Sequence, residues 1–226
     1  LKAKNTGAGE STAHVAHYYC EMAEEAWRQK DTRKAQAMLK QAESVKRQTV
    51  RTTLVRADFL NDAGEFGAAI PLYRQVIEEA PDLLVEVLPH LAASHRAAGT
   101  PADLNDYLHT LIERDEGSVA AIAMSVVRDQ AIENPAALNA LQRFLASDPT
   151  LSRLVDLDRI ERADEPERRS IIHEIRHALR DIVTVRPGYF CRECGYACLV
   201  MQWQCPGCHA WESIRPVIKI NLVSGS

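Results

Sequence analysis

The sequence predicts a mainly α protein, a superhelix of helical hairpins followed by a small β module closed around a metal ion. Three observations predict it. Apolar and small residues recur at helical spacing through the first 184 positions, broken at short intervals by Gly, Pro, Asn or Asp. Two of the resulting hairpins superpose at a period of 34 residues. Near the C-terminus, Cys191-Arg192-Glu193-Cys194 is followed ten residues later by Cys205-Pro206-Gly207-Cys208, and two C-x-x-C pairs at this separation form a four-thiolate metal site.

Composition supports the class. The 226 residues are 46% apolar and 26% charged, ordinary for one or two globular domains. Ala, Leu, Glu, Arg and Gln are abundant and β-branched residues are sparse before the C-terminal segment, which favours helix. A net charge of −4 is not that of a nucleic-acid clamp. No apolar run reaches the roughly 18 residues that cross a bilayer, and no signal peptide is present. The chain starts at Leu1 without Met, which predicts a C-terminal portion of something longer. Thiol pairs without a secretory signal point to a reducing compartment and a metal instead of disulfides.

Residues 1–11, with Gly7 and Gly9, read as a frayed start. The first hairpin covers about 13–29 and 32–46, with Val15, Tyr18, Tyr19, Met22, Ala23 and Ala26 at helical spacing and Asp31-Thr32 opening its second helix. The second covers about 50–63 and 66–79, with Gly64 at the break and Pro81 at the end. Ala23, Ala35, Leu39 and Ala42 fall on Ala57, Ala69, Tyr73 and Val76. The segment Gly64-x-Phe66…Ala69…Tyr73…Pro81 resembles a tetratricopeptide (TPR) repeat, whose usual early Trp, Leu and Gly are here Thr53, Arg56 and Ala57. A third hairpin, about 84–98 and 102–114, packs Leu104, Leu108 and Leu111, and Pro89 is expected to kink or split its first helix. A fourth, about 118–132 and 135–147, opens its second helix at Asn134-Pro135 and faces Ala137, Leu141 and Phe144 inward. Helices at about 150–163 and 166–184 cap the array. The expected organisation is thus a TPR-like array over 1–184 (about 13–47, 50–81, 84–116, 118–149 and the capping helices 150–184) and a module over 185–226.

In the module, Tyr189-Phe190 reads as a short strand, Tyr196 to Gln204 as strand–turn–strand, and Trp211 to Ile220 as a final strand. About forty residues cannot fold by hydrophobic burial alone. A structural metal worth on the order of 10–16 kcal/mol dominates instead. The expected ligands are Cys191, Cys194, Cys205 and Cys208. A closed thiolate set leaves no position for a reactive water and suits zinc or a rubredoxin-type iron. Cys198 reads as a strand residue, Cys20 as a buried thiol, and His209 as a sulfur hydrogen-bond partner or a surface residue. Trp203 and Trp211 are expected to dock the module on the last helices. On the inner face of the array, Glu24, Trp27, Arg28, Arg51, Asp58, Asn61 and Arg96 are candidate partner-binding residues, against the plain reading of a solvated surface. His173 and His177 share one helix face without a third ligand. No catalytic set is visible, so an enzyme is not expected. The alternatives are a rubredoxin-type electron-transfer protein, or a nucleic-acid-binding zinc ribbon on a TPR scaffold, the latter opposed by Glu193 and Glu212.

The whole resembles the lipopolysaccharide assembly protein B (LapB, or YciM) family. The residues that carry this are Ala16-His17-Tyr18-Tyr19-Cys20-Glu21, Arg186 to Gly195, Trp203 to Trp211 and Ile214-Arg215-Pro216. The resemblance implies a non-enzymatic regulator on the cytoplasmic face of the bacterial inner membrane. It implies work with the membrane protease FtsH to promote proteolysis of the deacetylase LpxC, and contacts with other lipopolysaccharide assembly proteins. It also implies a rubredoxin-like module docked on the array and required for activity, and an N-terminal membrane anchor and further repeats that this chain does not contain. No nucleic-acid partner is implied.

Overall fold

The computed structural model describes residues 7–45, 49–129, 131–147, 152, 157–182 and 188–216. Successive helices pair as antiparallel hairpins: α1 (Gly7–Arg28) with α2 (Thr32–Val45), and α3 (Val50–Asp62) with α4 (Phe66–Glu79). A 3-10 turn, Pro81–Leu83, leads into α5 (Leu84–Ala97) and α6 (Pro101–Arg114). Then come α7 (Glu116–Arg128) with α8 (Pro135–Ser147), followed by α9 (Leu157–Arg162) and α10 (Glu165–Ile182).

Local chemistry sets these boundaries. Lys30, Gly64 and Gly99 hold left-handed backbone at φ 64°, 80° and 71°. After each, the next N–H donates to the carbonyl five residues back: Asp31 to Ala26, Glu65 to Leu60 and Thr100 to His95, at 2.8–2.9 Å. This 6→1 closure ends a helix and turns the chain into the next. Asp31 caps α2 by accepting from Lys34 N at 3.0 Å. Thr49 and Thr52 form a reciprocal capping box on α3. Asp115, Asn134 and Asp164 accept from the first-turn N–H groups of α7, α8 and α10. Each such cap contributes about 1 kcal/mol.

The 34-residue register is expressed as burial. Ala23, Ala57, Ala35 and Ala69 are fully buried, and so, or nearly so, are Leu39, Tyr73, Ala42 and Val76. The small residues let paired helices approach closely. One apolar core runs from α3 and α4 through α5–α8 to Ile172 and Leu179 of α10. The first hairpin closes a separate core with Val55 and Phe59 of α3.

Three expectations change. Helix α1 starts at Gly7, inside the stretch read as frayed; extending a nucleated helix outweighs about 1 kcal/mol per glycine. Helix α5 runs unbroken through Pro89. Proline removes the N–H that would bond Val85 O, and the Ser125 hydroxyl of α7 lies 3.5 Å from that oxygen. Helix α7 stops at Arg128, short of 132. Asp129 is extended there and its carboxylate accepts from Ala131 N at 2.9 Å. Arg176 of α10 donates to Val126 O and Asp129 O at 2.8–3.1 Å, taking up carbonyls that a longer helix would use.

The module is a three-stranded antiparallel sheet in the order β2-β1-β3, with β1 Tyr189–Cys191, β2 Ala197–Cys198 and β3 Ile214–Pro216. Strand–turn–strand over 196–204 shrinks to β2 and a lone bridge between Gln204 and Trp211. The final strand is confined to 214–216 among the described residues, and 217–220 lie outside them, as does the linker 185–187.

Candidate metal centre and its seat in the groove

Two tight turns deliver the sulfurs. In the first, Gly195 N donates to Cys191 O (3.0 Å) and Cys191 N to Tyr196 O (2.7 Å); in the second, His209 N donates to Cys205 O and Cys205 N to Ala210 O (both 2.9 Å). The two turns are therefore the same, although glycine follows one and histidine the other. His209 adopts φ 61° where Gly195 has φ 75°.

The four Sγ atoms lie within 4.8 Å of one another, and all four cysteines are free thiols. Cys191 and Cys208 Sγ are 3.7 Å apart, and Cys194 and Cys205 Sγ 3.6 Å. A tetrahedron of metal–sulfur bonds of about 2.3 Å has edges near 3.8 Å, so this donor set fits one ion. The Ser213 hydroxyl, with the N–H groups of Cys194 and Glu193, holds the Cys191 thiol down at about 6. Tyr196 N–H likewise favours the Cys194 thiolate, but burial and the other thiols push Cys194 up. A bound cation would relieve that mutual repulsion and supply the cross-link that closes the module. Cys198 faces the module core outside this set. Cys20 is buried in the first hairpin, and burial pushes its thiol up to about 12, which keeps it unreactive.

Among the described residues, the contacts of Trp203 and Trp211 are with the first helices of the array and not with the expected last ones. The module lies in the groove formed by α1, α3, α5 and α7, the first helices of successive hairpins. Trp211 stacks on His17 with ring centroids 4.5 Å apart and planes 2° from parallel, and meets Tyr18 edge-on at 5.4 Å. The Arg51 guanidinium lies 5.4 Å from the Trp203 ring and 5.8 Å from Trp211, while also pairing with Glu24 at 2.7 Å. Arg192 and Arg215 both pair with Asp82, at 2.7 and 2.8 Å. Tyr189 Oη donates to Glu86 at 2.8 Å, and Arg128 pairs with the same carboxylate at 3.0 Å. Charge complementarity across the seat rests on Asp82, which takes both module arginines, and on Glu212 of the module, 3.7 Å from His17; Glu21, Glu24 and Glu86 pair with the array's own Arg51 and Arg128.

The candidate partner-binding residues all make contacts within the chain. Arg51 is 2% exposed beneath the module, and Glu24 is its ion-pair partner. Trp27 stacks on Phe59 and donates to Asp62 at 2.7 Å. Asp58 accepts from Tyr73 Oη and Asn61 from Ser94 Oγ. Arg96 donates to Ala131 O, and Arg28 is exposed and pairs with Glu25. His209, His173 and His177 are exposed. Sequence reasoning missed His17, Asp82, Glu86 and Arg128 as docking residues. Their only signal is register, since each falls on a first helix or at its entrance.

The class of protein these features define is a helical-hairpin scaffold with an integral rubredoxin-like metal module. The rubredoxin metal binding domain family matches residues 189–216. The chain as a whole is similar to lipopolysaccharide assembly protein B of Escherichia coli K12, 24% identical over 214 residues that make up 93% of this chain and 55% of that protein. It is equally similar to lipopolysaccharide assembly protein B of Haemophilus influenzae, 24% identical over 92% of this chain and 53% of the relative. The resemblance read from the first hairpin and the cysteine module is matched along nearly the whole chain, which spans about half the length of the curated relatives it matches.

Proposed function

We propose that this chain is the scaffold part of a non-enzymatic adaptor in lipopolysaccharide assembly. It acts at the cytoplasmic face of the inner membrane, joined to the bilayer by a segment outside this chain, and promotes FtsH-dependent proteolysis of LpxC through protein contacts. The observation that carries the reading is the seat of the module: a four-thiolate unit in contact with the array at His17, Arg51, Asp82 and Glu86 joins the two parts into one unit suited to presenting surfaces. Trp203 and Trp211 are half-buried beside Arg51, and Arg192 and Arg215 pair with Asp82, which disfavours the nucleic-acid alternative. The test replaces the native protein in its bacterium with a Cys191→Ser, Cys194→Ser variant. LpxC is expected to accumulate and FtsH to stop co-purifying with the full-length variant. Normal LpxC turnover in a variant shown to lack the metal would overturn the proposal.

A further inference from the structure

Docking and metal binding use neighbouring residues. Tyr189 lies two positions before Cys191, Arg192 one after it, Trp203 two before Cys205, and Trp211 three after Cys208. Their positions are set by the turns that the ion would close. Among the described residues, the buried apolar cluster of the module is Tyr189, Cys191, Cys198, Cys205 and Ile214, with Met201 packed against it, and Cys191 and Cys205 are expected ligands. Without a cross-link, too little apolar surface remains to hold those side chains in place.

We propose that the module is a metal-held plug of the groove, resting on the four-thiolate reading above. Ion and docking contacts stabilise each other, and loss of the ion opens the groove to a segment of the module's own chemistry: a peptide with a tryptophan a few residues from an arginine. The recognition chemistry is already in place. Asp82 takes two guanidinium groups, and His17 and Tyr18 take an indole. Coupling between two sites is reciprocal, so weakening the docking must weaken metal retention by the same factor.

The test uses the full chain with its metal content measured. Metal affinity is read at equilibrium by competition with a chromophoric chelator for the wild type, for Asp82→Ala, and for Glu113→Ala as an exposed control on α6. Asp82→Ala is expected to bind the ion at least about 5-fold more weakly, with the control unchanged; equal affinities overturn the proposal. In a second arm, a fluorescent peptide with the sequence of residues 209–216 is titrated into loaded and chelated protein of equal helix content. Binding to the chelated form alone, lost in chelated Asp82→Ala, is expected. Equal binding to both forms, or none to either, overturns the plug. A protein purified without metal would instead overturn the four-thiolate reading.

Discussion

At the scale of single residues, Lys30 is the place where this chain departs from its own pattern. It holds the left-handed conformation that Gly64 and Gly99 hold at the same point of the next two hairpin turns, and a side chain there costs about 1 kcal/mol. Lys30→Gly should raise stability by about 0.5–1 kcal/mol, read as a higher urea midpoint with an unchanged slope; a lower midpoint would contradict it. Arg51 shows the opposite situation. Sequence register put it on the inner face, and the structure agrees, but its aromatic partners lie some 150 positions away by number. Nothing in the local sequence could say that the face was already filled. His209 hid the equivalence of the two metal turns for a similar reason: its left-handed backbone is imposed by the His209 N to Cys205 O bond, not by its own preference.

Elements were legible where their limits are local. Helix ends followed Gly64, Gly99, Asp31 and Asn134 because caps and 6→1 turns act within six residues. They were not legible where distant groups decide. The end of α7 depends on Arg176, fifty residues on, and the continuity of α5 goes with its burial between α4 and α7. The strands were overextended in the sequence reading because two or three residues of β structure, held by turns and thiols, carry almost no periodic signal. Arg176 is 4% exposed and bonds α10 to the last carbonyls of α7. Arg176→Ala should therefore cost about 2–3 kcal/mol and free α10 first, seen as lost amide protection in α10 before α5. Uniform loss of protection in both helices would count against that role.

For the whole molecule, the helical array and the module draw their stability from different sources. From α3 to α10 the array has a large apolar core, whereas the described apolar cluster of the module is small and includes two of the expected metal ligands. Chelation should leave the far-ultraviolet helical signal nearly intact while the emission of Trp203 and Trp211 shifts to the red, with Trp27 a constant background on Phe59. Parallel loss of helix and tryptophan signal would show instead that the array cannot stand alone. The seating of the module has a mechanical consequence as well. Stacked hairpins that touch only their neighbours behave as springs, since small rotations at each joint add along the stack. Here one body is fastened to α1 at His17, α3 at Arg51, the entrance of α5 at Asp82 and α7 at Arg128. It fixes the pitch across those joints together. A partner that reads the spacing between distant hairpins meets a ruler in place of a spring, and loses no entropy in setting its length.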